Sequence, residues 1–130
     1  MTHLRLLLVD DFALVRSALR RHLGTLALFS RLELTVTDFG DPREALASFQ
    51  PSAFDGALLD VDLNIYVMSG VELAQALRQA DPDLPIAFVT ATPEALGPSE
   101  LATLGDCLVL TKPWSVEGLA EFLKRLAPRE

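Results

Sequence analysis

Four apolar runs of this chain each end in a polar group suited to holding metal and phosphate. Asp10 and Asp11 follow LRLLLV, Asp60 follows GALL, Thr90 closes PIAFVT, and Lys112 with Pro113 follows CLVLT. If each run is a strand of one parallel sheet, these groups all emerge along one edge. That edge is where open α/β sheets place their chemistry. Carboxylates, a hydroxyl and an ammonium gathered there are the parts of a magnesium and phosphate site.

Magnesium takes oxygen ligands in octahedral geometry and keeps several waters, so one or two carboxylates beside a phosphate suffice to hold it. Asp11 and Asp60 are the candidates for direct ligation, Asp10 for ligation through a water, and the main-chain carbonyl of Asp62 for a further ligand. Carboxylates crowded at one edge repel each other, which a cation relieves. The competing reading is that one of the Asp10-Asp11 pair simply caps the helix beginning at Phe12. Asp60 is the candidate nucleophile, since a carboxylate can attack a phosphoryl group to form an acyl phosphate. In isolation it could equally be a polar terminus to a buried strand. The Thr90 hydroxyl can bond a phosphoryl oxygen or merely cap the next turn. Lys112 can pair with Asp60 or its phosphate as a compact point charge. Pro113 constrains the backbone beside it, and X-Pro bonds are where cis peptides occur.

These residues need a scaffold, and the chain supplies one of ordinary size. At 130 residues with 50% hydrophobic content it can bury the core of a single domain. Its formal charge of -7 disfavours direct nucleic-acid binding, which calls for a dense positive surface. The lone Cys107 has no partner for an internal disulfide and lies in an apolar run, which suggests a buried reduced thiol and a cytoplasmic location. The opening MTHLRLLLV is too short for a membrane span or a signal-peptide core.

Runs at 4–9, 57–61, 86–90 and 107–110 are the length of strands and lack an exposed-face alternation, as in strands covered on both sides. LELTV at 32–36 does alternate and reads as an edge strand. Between the strands lie helical stretches. Val15, Ala18, Leu19 and Leu23 form a stripe with Arg16, Arg20 and Arg21 left to solvent and Gly24 as a stop. Asp41-Pro42 opens a second helix, and Ser69 or Gly70 begins a third that ends near Asp81-Pro82. Pro93, Gly97 and Pro98 leave only Ser99 to Leu104 as an unbroken fourth, and Ser115 caps a fifth. Five strands alternating with five helices predict an α/β fold: a doubly wound five-stranded parallel sheet with helices on both faces.

With these residues in view, the chain resembles the response-regulator receiver domain of two-component signalling. The matching residues are Asp10-Asp11, Asp60 in LLDVDL followed by SGVEL, Thr90-Ala91 after a strand, and Gly105 leading to Lys112-Pro113-Trp114. The resemblance spans essentially all of residues 1–130 as one receiver domain with a flavodoxin-like fold. It implies Mg2+ dependence and transfer of a phosphoryl group to Asp60 from a histidine kinase or histidine phosphotransfer protein. Thr90 and Lys112 would sense the phosphate, and the switch region would include Val109 and Pro113. Such a domain catalyses only its own phosphorylation and dephosphorylation and signals to a downstream protein target. It needs no direct nucleic-acid or membrane contact, and a homodimer remains open.

Three departures stand out. The loop LNIYVMSG after Asp60 is longer than usual, with Asn64 near the place of a common proline. Val109 occupies the usual aromatic switch position three residues before Lys112. The stretch GTLALFSRLEL is also long and could extend the first helix by a turn. Alternative roles are a phosphate relay or sink, or one part of a larger regulator or hybrid kinase. A small magnesium phosphohydrolase would need Asp62 as its second acid/base carboxylate. A flavodoxin-like cofactor carrier would need a phosphate-cradling loop where Asp10-Asp11 stands.

Overall fold

The computed structural model describes residues 2–63 and 68–129. Its elements are β1 (Thr2–Val9), α1 (Ala13–Phe29), β2 (Leu32–Phe39), α2 (Pro42–Ser48), β3 (Gly56–Asp60), α3 (Gly70–Ala80), β4 (Ile86–Thr90), α4 (Pro98–Leu104), β5 (Leu108–Thr111) and α5 (Val116–Lys124), with a short 3-10 turn at Pro93–Ala95. The strands form one parallel sheet in the order β2-β1-β3-β4-β5. The expected doubly wound fold is therefore present, with β2 at an edge.

Alternation within each central strand divides the core in two. Leu7, Val9, Ala57, Leu59, Ile86 and Phe88 point to one face, where they meet Val71, Ala74 and Leu77 of α3 and Leu104 of α4. Leu6, Leu8, Leu58, Ala87 and Val89 point to the other, against Leu19 and Leu23 of α1 and Leu119 and Phe122 of α5. Both faces are covered, so β3, β4 and the Leu6–Val9 half of β1 are apolar up to the polar residue that closes each run.

The helix starts follow the capping logic of the sequence. Asp41 and Ser115 accept backbone hydrogen bonds at the starts of α2 and α5, and Ser69 with Glu72 forms a reciprocal capping box on α3. Gly105 ends α4 with φ of +74°, a conformation that side chains with a β-carbon resist.

Gly24 does not stop the first helix. It sits within α1, which continues to Phe29 because Leu23 and Ala27 extend the buried stripe. A helical glycine costs about 1 kcal/mol, less than such burial returns. The long connection thus does extend α1. Arg16 is not simply solvated either: its guanidinium bonds Asp38 at 2.9 Å and the Asp10 carbonyl at 2.7 Å. Arg20 also reaches Asp38, at 2.8 Å. Cys107 is a free thiol, half-buried rather than fully buried. The unusual loop after Asp60 falls partly outside the described residues, Asn64 included.

Candidate functional site

Strand register brings the predicted groups together. Val9 pairs with Leu59, so Asp10 follows β1 at the level of Asp60. Asp60 pairs with Val89, setting Thr90 one step beyond, and Thr90 pairs with Thr111, setting Lys112 one step further. The backbone N–H of Lys112 also donates to the Thr90 carbonyl at 2.8 Å, fixing the end of β5.

Lys112 lies between two buried carboxylates. Its Nζ is 3.0 Å from Asp10 Oδ2 and 3.3 Å from Asp60 Oδ1. Burial pushes the Asp60 carboxyl up to about 6, the Asp10 charge adds to the rise, and Lys112 opposes both. Burial would lower Lys112, but its bond to Asp10 and the charge of Asp60 outweigh that and hold it above the ordinary lysine value. The ammonium is therefore a fixed positive charge at the centre of the site.

Asp10, Asp11 and Asp60 each offer a carboxylate oxygen, and these oxygens lie within 4.8 Å of one another. Asp11 Oδ1 is buried without a hydrogen-bond partner. A carboxylate oxygen left so is costly unless something else binds it. An all-oxygen cluster with one unspent ligand atom fits a hard divalent cation. The capping alternative is met only in part: Asp10 Oδ1 accepts from the Phe12 N–H at 2.9 Å, while α1 begins at Ala13 without a side-chain cap.

Thr90 is fully buried, and its hydroxyl faces Asp62. Its hydroxyl accepts from the Thr92 N–H at 3.0 Å, so the turn-capping role is real. The same hydroxyl is 3.5 Å from Asp62 Oδ2, and the Thr92 hydroxyl donates to that oxygen at 3.2 Å. The Asp62 N–H donates to Asp60 Oδ1 at 3.2 Å. Val109 is partly buried against the α3 side of the core, and the Lys112-Pro113 peptide is cis.

Sequence reasoning missed three supports of this site. Arg16 ties the Asp10 carbonyl to Asp38, and Gly40 makes room for it, since a β-carbon there would lie 2.9 Å from the guanidinium. Thr92 bonds Asp62, and Trp114 Nε1 donates to His22 Nδ1 at 2.8 Å, joining the segment after Lys112 to α1. The helical spacing of Arg16 from Phe12 was the available signal, because it aims a basic side chain back at the strand end.

The sequence matches the family model for the response regulator receiver domain over residues 6–124. It is 34% identical over 92 residues to the response regulator receiver protein CpdR of Brucella abortus, covering 70% of this chain and 74% of that one. It is 31% identical to the response regulator MprA of Mycolicibacterium vanbaalenii over 96% of this chain, yet spans only 51% of that relative. The chemotaxis protein CheY4 of Vibrio cholerae superposes with a TM-score of 0.76 at 30% identity, covering 97% of this chain and 100% of that one. Fold, site geometry and relatives agree: this chain belongs to the response regulator receiver domain family.

Proposed function

We propose that Asp60 is the phosphorylation site and that a histidine kinase or histidine phosphotransfer protein is the donor. An Asp60 carboxylate oxygen attacks phosphorus, the P–N bond of the donor phosphohistidine breaks, and its electron pair returns to the imidazole. The supporting observation is the placement of the buried Asp60 carboxylate 3.3 Å from the Lys112 ammonium, beside the partnerless Asp11 oxygen. Asp10, Asp11, Asp60 and the Asp62 carbonyl are the groups that would hold Mg2+. The ion would supply positive charge to screen the approach of two anions. Lys112 and Thr90 then hold phosphoryl oxygens by an ionic and a hydroxyl hydrogen bond.

The exposed Phe12 and Leu14 at the start of α1 and Val116 at the start of α5 rim the same sheet edge. Apolar side chains there suit a protein donor. A phosphohydrolase is not favoured, because the Asp62 carboxylate is engaged with Thr92 instead of standing free as an acid or base. The chain's catalysis is confined to its own phosphorylation and dephosphorylation, and its output passes by contact with a downstream protein in the cytoplasm. Incubation with a cognate kinase or phosphoramidate in Mg2+ should label the natural chain and leave Asp60→Asn unlabelled. Undiminished labelling of that variant would sink the assignment.

A further inference from the structure

We infer that the Asp62 side chain is an internal competitor for the Thr90 hydroxyl, holding the receiver in its resting state until a phosphoryl group displaces it. This rests on the assignment of Asp60 as the phosphorylation site.

The Thr90 hydroxyl has one proton to give. Its oxygen already accepts the Thr92 N–H at 3.0 Å, and the acidic acceptor within reach among the described residues is Asp62 Oδ2, at 3.5 Å. That contact is long by itself. It is held in place by the better bond from the Thr92 hydroxyl to the same oxygen, at 3.2 Å, and by the Asp62 N–H donating to Asp60 at 3.2 Å. Asp62 thus presents a negative oxygen to the hydroxyl that a phosphoryl group on Asp60 would need. It stands apart from the acidic cluster, whose members are Asp10, Asp11 and Asp60.

Phosphorylation adds roughly 1.5 to 2 negative charges next to Asp60. Two anions cannot share one hydroxyl proton, and their mutual repulsion drives the weaker acceptor away. Asp62 is the weaker acceptor, and its half-buried side chain has solvent to move into. The bond it gives up is a cost borne only by the phosphorylated state. Asp62 therefore biases the equilibrium between the two states toward rest.

The test uses the full chain in saturating Mg2+ titrated with beryllofluoride, whose trifluoride stands in for the phosphoryl group on an aspartate, with affinity read by calorimetry. Asp62→Ala should bind about tenfold more tightly than the natural chain, on the scale of one charge-assisted hydrogen bond. Asp62→Asn, which keeps the shape and an acceptor oxygen but not the charge, should gain less. In a Thr90→Val background most of the gain from Asp62→Ala should be lost, because the two residues compete through one bond, and only the through-space repulsion between carboxylate and trifluoride is left to relieve. Equal or weaker binding by Asp62→Ala, or a gain undiminished without the Thr90 hydroxyl, would overturn the inference and leave Asp60 phosphorylation standing. Failure of the natural chain to bind beryllofluoride would overturn both.

Discussion

Gly70 is packed so closely on Asp60 that a β-carbon built on it would lie 1.9 Å from the Asp60 carbonyl oxygen. Its N–H also donates to the Val61 carbonyl at 3.1 Å, so the first residue of α3 is docked onto the chain leaving β3. The obstacle is backbone, which cannot rotate aside as a flexible side chain would. Gly70→Ala should therefore displace the Asp60 segment and cost about 3 kcal/mol, at the upper end of overpacking penalties. A urea midpoint within error of the natural chain would contradict this tight approach.

Lys112 neutralises two carboxylates that are themselves buried, Asp10 at 1% and Asp60 at 3% exposure. Replacing it with glutamine leaves both without their cation. Breaking a buried pair costs roughly 3 kcal/mol, and Asp60, already raised by burial and by Asp10, should rise further. Lys112→Gln should thus be markedly less stable than the natural chain at pH 7.5 without metal. Mg2+ should restore part of the loss by mass action. Thermal melts with and without Mg2+ decide it; a variant as stable as the natural chain in the metal-free state would refute the pairing.

Asp60 gives the chain a pH dependence of definite sign. Its carboxyl is raised by burial from 3.8 to about 6, so the folded state holds a proton that the unfolded state releases. This contribution to stability is complete below the unfolded value and is lost as pH rises through 6. Asp60→Asn, which carries no charge to bury, should be more stable than the natural chain at pH 7.5 without metal, by on the order of 2 to 3 kcal/mol. The difference should close as pH falls below about 4. A gap that is flat with pH would show that the Asp60 charge is not penalised by the fold.

The parts of the molecule legible in the sequence were those fixed by local rules. Apolar runs on β1, β3 and β4 mark strands covered on both faces, and the polar residue ending each one is placed by register alone. Capping side chains at Asp41, Ser69 and Ser115 mark helix starts for the same local reason. What escaped depends on side chains meeting across long sequence separations. Gly24 signals a stop only until Leu23 and Leu26, on either side of it, are known to pack in the core on the sheet face and Ala27 beyond it is known to be buried. Arg16 reads as a surface arginine until Asp38 and the Asp10 carbonyl converge on it. The side chain of Asp62 could not be placed relative to Thr92, because nothing in the spacing of two loop residues fixes a contact of 3.2 Å.

At the opposite end of the sheet Arg129 forms a two-bond pair with Asp81, with Nη1 to Oδ2 at 2.6 Å and Nη2 to Oδ1 at 2.5 Å. Its backbone N–H donates to Asp55 at 2.7 Å, and Asp55 in turn holds Arg5 at 3.1 Å. The segment after α5 is therefore bound beneath β1, β3 and the end of α3. Asp81 is buried, and the hydrogen bond from Arg129 keeps its carboxyl below the ordinary aspartate value against the effect of burial. The stability from this pair is present above the unfolded carboxyl value and is lost as pH falls through the lowered folded one. Arg129→Ala should cost about 3 kcal/mol near pH 7, because it strands a buried carboxylate. The loss should shrink in strong acid, where Asp81 is protonated in either chain. Urea unfolding of both chains across that range measures the effect, and a deficit that does not shrink in acid would mean that Arg129 acts through packing instead of charge.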